Sequence, residues 1–480
     1  MFVVNDRVSI NGEFATVRFV GTIPPWPDTV ALGVEWDNPT KGKNDGSLNG
    51  KKYFTTSQGH NGSFIKVNNS TLSPRYTFIA SLIHNYGENL HFQEILLGPK
   101  YTESYGFEKL NSMTANFPQL TSVSLEKKNI YISGLFQQFQ LTNLNHLDIS
   151  FNLFNDFGEI INILHHCPNL HQLNLNGNRF ITVPQTTRTF PVKNLKMSST
   201  FIGINALNSV LAMFPELEEL ALAGNKYTDD DMAALRIAIT PQVSVLDISF
   251  NDLTTIPGIN VPVLKLLNNA ITTLHSDTSF HTLDLRYNSI DDWNEIDKLA
   301  SLQLLELRIN GNPIFDTMSI DEQTIHLIAR LKFYGKLNSS KLTGDEITNA
   351  ELYFISQVQQ HKVHYDKKPR WNELLEEYHI QHDENTSTGT RTQLQHKMLT
   401  LRLVYGDETW SRTFLLDNSI LRVKGIAGRK WQLSVLQFDL YYRIGPIKLY
   451  LHDDIAHLDH YAFSHHQEIY IELHTMKPIY

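Results

Sequence analysis

The sequence is poor in cysteine and has no long apolar run, and both absences limit what the chain can be. Cys167 is the single cysteine among 480 residues, so no intramolecular disulfide can form and a reducing compartment is expected. No window approaches the about 18 apolar residues of a membrane span. The first residues, MFVVNDRVSING, lack the charged and apolar regions of a secretory signal. We therefore expect a cytoplasmic protein with no membrane partner.

The sequence also has little that would support catalysis, metal binding or nucleic-acid binding. The net charge is −9 and no basic footprint stands out, which argues against a nucleic-acid partner. A P-loop, a G-x-S-x-G elbow and a Cys–His nucleophile context are all missing, so we expect no enzyme and no cofactor. The histidine-rich sites lack the paired spacing of zinc ligands, and we interpret them as structural or surface histidines. They are His165-His166-Cys167 and the set His452, His457, His460, His465 and His466.

The first segment alternates short β-type runs with turn signals. Ala15–Val20 is one such run, and Asn11-Gly12, Asn49-Gly50 and Asn61-Gly62 are turn dipeptides. This pattern predicts a small, strongly bent β domain over residues 1–70. A less patterned bridge over residues 71–116 follows.

An internal repeat dominates the middle of the chain, and we assign residues 117–340 to it with its C-terminal cap. The unit is L-x-x-L-x-L-x-x-N-x-L at a spacing of roughly 18–26 residues, close to the range of leucine-rich repeats. In this arrangement each repeat contributes a short strand, leucines fill a shared core, and the asparagine bonds backbone groups at the turn. The clear copies begin at Leu144, Leu170, Leu217, Val243 and Phe280, and weaker copies begin at Leu120, Val192, Val261 and Leu302.

Three further expectations follow from the repeats. The copies at Val192 and Val261 lose usual leucines, and asparagine is missing near Ser199-Thr200, so we expect a local irregularity there. A helix from Asp321 to about Leu337 should cover the open end. The non-leucine strand positions should form a polar, acid-leaning concave face that binds a partner, with ordinary solvation of an exposed sheet as the alternative. These positions include His146, Gln172, Asn174 and Glu219, and the partner-binding candidates are Asp148, Asp247, Asp284, Arg286, Glu306 and Arg308.

The last third of the chain changes pattern twice. Residues 341–394 form a helical connector, from Thr343 to Tyr378, and a linker at His382–Gly389. Residues 395–480 then contain strands at Met398–Tyr405 and Trp410–Leu415, a helix at Ser419–Gly428, and strands near Gln437–Tyr442 and Ile469–Leu473. This is the ubiquitin-like order of elements. The predicted fold class is therefore multidomain: a small β domain, an α/β leucine-rich-repeat solenoid and a C-terminal α+β ubiquitin-like domain.

The first domain resembles the CAP-Gly domain. The resemblance rests on Gly33-Val34-Glu35-Trp36-Asp37, Gly42-Lys43-Asn44-Asp45-Gly46, Tyr53-Phe54 and Gly62-Ser63-Phe64-Ile65. It implies recognition of a Glu-Glu-Tyr or Glu-Glu-Phe chain terminus, as on α-tubulin. The residues suit that ligand, since glycines permit close approach and Lys43 can pair with glutamates. The predicted tail-binding residues are Trp36, Gly42, Lys43, Asn44, Asp45, Gly46, Phe54 and Phe64.

Within that site, Asn44 could hold the terminal carboxylate, and Trp36, Phe54 and Phe64 could form the wall against the terminal ring. The alternative for each aromatic residue is that it simply fills the core of a small domain. For Lys43 and Asn44 the alternative is a solvated turn.

The whole domain order resembles the tubulin-folding cofactor E family, also called tubulin-specific chaperone E. The resemblance implies capture of α-tubulin, action with cofactors D and C, and possibly B, in assembling the αβ heterodimer, possible dissociation of the heterodimer, and a cytoskeletal location. Alternatives are a CAP-Gly microtubule-associated adaptor, although no sustained heptad run appears, and a ubiquitin-pathway docking adaptor. The chain's final residues, Lys477-Pro478-Ile479-Tyr480, lack a terminal Gly-Gly, so the last domain should dock and not conjugate.

Overall fold

A computed structural model describes residues 2–57, 59–87, 117–136, 140–274, 278–302, 304–366, 368–380, 398–444, 447–461 and 463–474. It divides into two compact units. The first comprises Met1–Thr317 and Gly335–Lys341, and the second Met318–Tyr334 and Leu342–Tyr480. The predicted linker at His382–Gly389 lies outside the described residues, as does most of the predicted bridge.

The first unit begins with a small antiparallel sheet. Its strands are β1 (Arg7–Ile10), β2 (Glu13–Ile23), β3 (Trp26–Trp36) and, after the two-residue hairpin strands β4 (Ser47–Leu48) and β5 (Lys51–Lys52), β6 (Gly62–Lys66). These four strands pair in the order β1-β2-β3-β6. Register shifts in the β2–β3 pair bend the sheet. One face buries an aliphatic cluster that includes Val8, Val17, Leu32 and Val34.

A short connection links this sheet to the repeats. Strand β7 (Tyr76–Thr77) leads into helix α1 (Phe78–Tyr86), which Thr77 caps by accepting a hydrogen bond from the Ala80 amide. After the first repeat strand, β8 (Ser122–Ser124), comes β9 (Ile130–Ile132), which pairs with β7 in parallel. The connection that follows the sheet domain is therefore joined to the first repeat by backbone pairing.

The repeat strands stack in parallel with one uniform register, their central leucines aligned and buried. In chain order they are β10 (His146–Asp148), β11 (Gln172–Asn174), β12 (Asn194–Lys196), β13 (Glu219–Ala221), β14 (Val245–Asp247), β15 (Val263–Lys265), β16 (Thr282–Asp284) and β17 (Glu306–Arg308). Between them run α2 (Phe157–Leu164), α3 (Ile204–Leu211), α4 (Asp229–Ala238) and α5 (Trp293–Asp297). This confirms the leucine-rich-repeat solenoid.

Buried asparagines support most of the turns, as the repeat pattern predicts. Asn152 donates to the carbonyls of Leu125 at 2.8 Å and Ile149 at 3.0 Å, and it accepts from the Ile130 amide at 3.0 Å. The expected irregularity at the Val192 and Val261 copies does not reach the strands, because β12 and β15 pair in the common register. Thr200 takes the missing asparagine's place by donating its hydroxyl to the Met197 carbonyl at 2.9 Å.

The predicted helical cap is wrong in its extent. Helix α6 spans Ile320–Leu331 and ends at Lys332, whose left-handed φ of 52° breaks the helical path. The edge of β17 is instead paired by β18 (Lys336–Leu337), which turns into β19 (Ser340–Lys341). The exposed edge of the repeat sheet is thus continued by a hairpin, while α6 packs on the second unit's next helix.

The second unit combines a helical layer with an α+β domain. Helices α6, α7 (Gly344–Gln359) and α8 (Lys368–Glu377) surround a core that includes Phe354, Ile355 and Leu374. The strands are β20 (Met398–Tyr405), β21 (Glu408–Leu415), β22 (Phe438–Ile444), β23 (Ile447–Tyr450) and β24 (Gln467–Leu473), with α9 (Ile420–Trp431) between β21 and β22. Their order, β21-β20-β24-β22-β23 with β20 and β24 parallel, is the ubiquitin-like arrangement.

Candidate functional site

The loop from Gly42 to Gly46 is held rigidly against strand β6. The amides of Lys43 and Asn44 both donate to the Gly62 carbonyl, at 2.7 and 3.0 Å, and the Gly62 amide donates back to the Asn44 carbonyl at 2.8 Å. The Asn44 side-chain oxygen accepts from the Gly46 amide at 3.0 Å. The loop is therefore preorganised by hydrogen bonds to its backbone and to the Asn44 side-chain oxygen.

Both glycines of the loop lie where no side chain would fit. A Cβ on Gly42 would lie 2.0 Å from the His60 carbonyl oxygen, and one on Gly46 would lie 2.1 Å from the Phe54 carbonyl oxygen. Gly46 also has a φ of +93°, which side-chain-bearing residues avoid. Any larger residue would push the loop off the sheet.

Four aromatic rings meet on the sheet face beside this loop. Phe64 lies 5.3 Å from Phe54 and 5.5 Å from Tyr53, and Tyr53 lies 5.2 Å from Phe19, all edge to face. Phe54 is buried beneath the others, which remain partly exposed. The predicted pair Phe54 and Phe64 is thus brought together. Phe19 belongs to the same cluster but was missed, because it lies on β2, far from the motif in sequence.

The third predicted ring, Trp36, lies on the opposite face of the sheet. Strand β3 alternates, so Gly33 and Glu35 face the ring cluster while Val34 and Trp36 face the aliphatic core. The Trp36 indole N–H donates to the Ser63 hydroxyl at 2.9 Å. In this position Trp36 supports the sheet from behind and does not form part of the wall with Phe54 and Phe64.

Lysines give the site its charge. Lys52 pairs with Asp45 at 2.8 Å, and hydrogen bonds from Lys52 and from the Ser47 amide lower the pKa of Asp45 to about 2. Lys51 lies over the Tyr53 ring at 5.0 Å. Within the described part of the chain, the exposed Lys43 side chain forms no ion pair. Asp45 is thus a loop-closing residue, and Lys43 is available to an acidic ligand.

Glu35 anchors the far side of the site and was not singled out from the sequence as a site residue. It accepts from the Ser57 amide at 2.6 Å and from Arg18 Nε at 2.8 Å. Burial opposes ionisation of Glu35, but the hydrogen bonds from Ser57 and Arg18 outweigh it and hold its pKa below the ordinary value. The segment that leads from Phe54 to β6 is therefore fixed by a charged, buried contact.

The concave face of the repeats is less acidic than expected. The register places Lys196 and Lys265 in the same column as the predicted Asp148, Asp247, Asp284 and Arg308. Four of the predicted partner-binding residues form two ion pairs: Arg286 bonds Asp284 at 2.6 Å, and Arg308 bonds Glu306 at 2.6 Å. Lys196 and Lys265 come from the weak repeat copies and reduce the acidic excess, but the face stays acid-leaning because Glu219 adds to these acids. Binding of a partner on this face stays a prediction.

The remaining sequence predictions concern the histidine-rich segment around Cys167, metal sites and membrane spans. His166 stacks on Phe136 at 3.9 Å, and Cys167 is buried, which raises the pKa of its thiol to about 12. Among the described residues, no three His, Cys, Asp or Glu side chains are grouped to hold a metal ion. No helix in the described ranges is both long and apolar enough to cross a membrane.

The chain is similar to several known proteins. Residues 4–70 match the CAP-Gly domain family. A protein named tubulin-specific chaperone E from Xenopus laevis is 31% identical, over 72% of this chain and 70% of the relative. Protein PAC2 from Saccharomyces cerevisiae is 28% identical, over 92% of this chain and 90% of the relative. The C-terminal ubiquitin-like domain of mouse tubulin-specific chaperone E is a structural match at a TM-score of 0.16 and 16% identity, covering 19% of this chain and 98% of that one.

Proposed function

The chain belongs to the tubulin-specific chaperone E family, and from this premise we propose that it is a tubulin-folding chaperone. Its CAP-Gly module holds the acidic, aromatic-ended C-terminal tail of α-tubulin. The observation that carries the proposal is the preorganised loop of Gly42 to Gly46, which carries the exposed Lys43 and packs at Gly46 against Phe54 of the ring cluster. A cation suits the tail's glutamates, and the rings suit its terminal aromatic side chain.

The remaining domains extend this function. We propose boundaries at 1–70 for the CAP-Gly domain, 71–116 for the bridge, 117–340 for the repeats, 341–394 for the connector and linker, and 395–480 for the ubiquitin-like domain. The repeats contact the folded body of tubulin, and the ubiquitin-like domain docks on tubulin or on another cofactor. Engaging two sites on one partner raises the apparent affinity beyond that of a weak tail contact.

In the same proposal the chain acts without catalysis of its own. It works with tubulin cofactors D and C, and with cofactor B, in assembling and dissociating the αβ heterodimer in the cytoplasm. The relatives' names as chaperones support this role. Purified protein that bound heterodimer but left it intact with and without the partner cofactors would contradict dissociation.

A binding experiment tests the groove. We expect Lys43→Ala to weaken binding of an α-tubulin tail peptide roughly tenfold, since one charge-assisted contact contributes about 1.5 kcal/mol. Removing the peptide's terminal aromatic residue should weaken it further, and added salt should weaken the wild-type complex. Lys193→Ala is the control, because Lys193 is a partly exposed lysine of the repeats, where it pairs with Glu218 at 2.7 Å. Indifference to both Lys43→Ala and the tail truncation would refute the assigned groove.

Co-sedimentation separates the chaperone from a microtubule adaptor. The chaperone should bind soluble tubulin in preference to polymer, because it acts before assembly. Dominant binding to polymer would favour the adaptor. Loss of function with intact tubulin binding, on deletion of the ubiquitin-like domain, would favour docking in the ubiquitin pathway.

A further inference from the structure

Four exposed aromatic side chains follow the C-terminal ends of alternate repeat strands. They are Phe151 after β10, Phe201 after β12, Phe250 after β14 and Tyr287 after β16. Their exposed fractions are 36%, 43%, 54% and 56%. Phe151, Phe250 and Tyr287 stand three residues past their strands, whereas Phe201 stands five residues past β12. We call these four residues the aromatic row, and large exposed rings grouped in this way are typical of interaction sites.

The backbone of the row is one that aromatic residues avoid. Phe151, Phe250 and Tyr287 have φ values of 51°, 56° and 53°, and the equivalent positions in three other repeats are Gly177, Gly224 and Gly311. Glycine adopts this left-handed conformation freely, whereas bulky residues do so at a cost. The aromatic residues therefore occupy positions where folding alone would favour glycine or asparagine, which points to a function for the rings.

The rings are also held in fixed positions. A Cβ on Gly177 would lie 2.4 Å from the Phe151 ring and one on Gly311 would lie 2.5 Å from the Tyr287 ring, so each ring covers the neighbouring repeat's glycine. Phe201 lies between two cations, with Arg179 at 4.2 Å and Lys226 at 5.5 Å from its centroid. Three rings of the row are therefore packed against neighbouring groups, and positive charge lies beside Phe151 and Phe201.

Resting on the proposed function, we propose that the aromatic row docks an amphipathic α-helix, flanked by acidic residues, on the folded body of tubulin. Strands in a sheet are about 4.8 Å apart, so Phe250 and Tyr287, two repeats apart, lie about 10 Å apart, and Phe151, four repeats before Phe250, lies about 20 Å from it. Seven residues of an α-helix rise about 10.5 Å, so apolar side chains at i, i+14 and i+21 match Phe151, Phe250 and Tyr287. Lys127, over the Phe151 ring at 5.3 Å, and Lys226 complement acidic side chains on the helix.

The test uses tubulin whose C-terminal tails have been removed by proteolysis, which isolates this surface from the tail-binding groove. Phe250→Asn with Tyr287→Asn removes two rings and keeps a residue suited to left-handed φ. We expect the affinity of the double variant for tail-less tubulin to fall at least tenfold. The melting temperature should not fall, and the tail peptide should bind as before. A purely structural role for the rings would instead lower the melting temperature.

Two further variants sharpen the result. Asn268→Gly is the matched control, because Asn268 has a φ of 55° in the repeat between Phe250 and Tyr287 but carries no ring. It should leave binding unchanged. Lys226→Glu should weaken binding at low salt, and the difference should shrink as salt is added.

Hydrogen exchange on the tubulin side identifies the occupant. A protected helix with apolar residues at seven-residue spacing supports the proposal, and protection confined to strands or loops overturns it. Unchanged affinity of the double variant, or failure of the wild type to bind tail-less tubulin, also overturns it. If intact tubulin and the tail peptide still bound, either of these two results would overturn only the docking proposal and leave the proposed function standing. If neither intact tubulin nor the tail peptide bound, both the docking proposal and the proposed function would be refuted.

Discussion

At the scale of single residues, the CAP-Gly site depends on contacts that fix a few side chains in place. Asp45 accepts hydrogen bonds from Lys52 and from the Ser47 amide, and its carboxylate closes the loop that carries Lys43. The sequence motif indicates that these residues belong together. The fold of the loop decides that Asp45 pairs with Lys52 while the Lys43 side chain stays exposed.

The pKa of Asp45 gives a direct test of this loop. Its folded pKa of about 2 lies below the ordinary 3.8, so the stabilising contribution is fully present above 3.8 and is lost as the pH falls through about 2. We therefore expect the loop to stay closed from pH 4 to 7 (roughly the range above the ordinary carboxyl pKa). Lys52→Ala should raise the pKa of Asp45 toward its ordinary value, measured by carboxyl NMR titration. Lys51→Ala is the control, since Lys51 faces Tyr53. An Asp45 pKa still near 2 without Lys52 would contradict this account.

At the scale of elements, most repeat turns depend on a buried asparagine, such as Asn152, Asn225 and Asn251. Asn225 donates to the carbonyls of Met197 and Leu222 at 3.0 and 2.9 Å, and it accepts from the amides of Thr200 and Phe201, each at 2.8 Å. The turns could not close in a buried environment without these bonds, because backbone groups would be left unpaired.

Asn225→Ala should therefore destabilise the repeats by roughly 2–4 kcal/mol, since unpaired buried polar groups each cost about 1–3 kcal/mol. Urea unfolding measures the loss, and hydrogen exchange should accelerate at the Thr200 and Phe201 amides. Asn143→Ala removes one exposed bond to the Pro118 carbonyl and should change stability by about 0.5 kcal/mol or less. Equal effects of the two substitutions would argue against the special role of the buried asparagines in the turns.

Helix α9 contains two glycines, Gly425 and Gly428, at which alanine should change the stability of the domain in opposite directions. A Cβ on Gly425 would meet nothing within 4 Å, whereas one on Gly428 would lie 2.6 Å from the Leu433 carbonyl oxygen. Gly425→Ala should stabilise the ubiquitin-like domain by roughly 0.5–1 kcal/mol through helix propensity. Gly428→Ala should destabilise it by about 1–3 kcal/mol through overpacking. Thermal unfolding distinguishes the two, and a stabilising Gly428→Ala would show that α9 ends differently.

At the scale of the first unit, charged contacts fix the CAP-Gly domain to the repeats. Asp37 accepts from Arg7 at 2.7 and 2.5 Å and pairs with Arg179 of the repeats at 3.3 Å. The Asn155 side chain donates to the Asn5 carbonyl at 2.9 Å, and Arg75 lies 4.3 Å from the ring centroid of Tyr131. Burial lowers the pKa of Arg179 to about 10, and Asp37 opposes that shift. Arg179 thus stays charged at neutral pH.

Arg179→Ala should loosen this attachment without unfolding the CAP-Gly domain, because Asp37 keeps its two bonds to Arg7. We expect a loss of roughly 1–2 kcal/mol, faster hydrogen exchange near Asp37, unchanged tail-peptide affinity and weaker binding of intact tubulin. Asp37→Ala should cost more, roughly 3–5 kcal/mol, since it leaves the buried Arg7 unpaired. Arg188→Ala, at an exposed bond to His165, is the control. Unchanged exchange in Arg179→Ala would refute the attachment.

The sequence by itself determined the features that local patterns encode. The leucine and asparagine spacing fixed the repeat strands, the alternation at Met398–Tyr405 fixed β20, and the glycine motif identified the CAP-Gly loop, since periodicity and turn chemistry act over a few residues. Tertiary structure decided what distant segments do together. It brought Phe19 to Phe64, turned Trp36 to the other face, placed Lys196 and Lys265 among the acids, and paired Asp37 with Arg179. Such contacts depend on strand register and domain packing, which residues so far apart in sequence cannot specify locally.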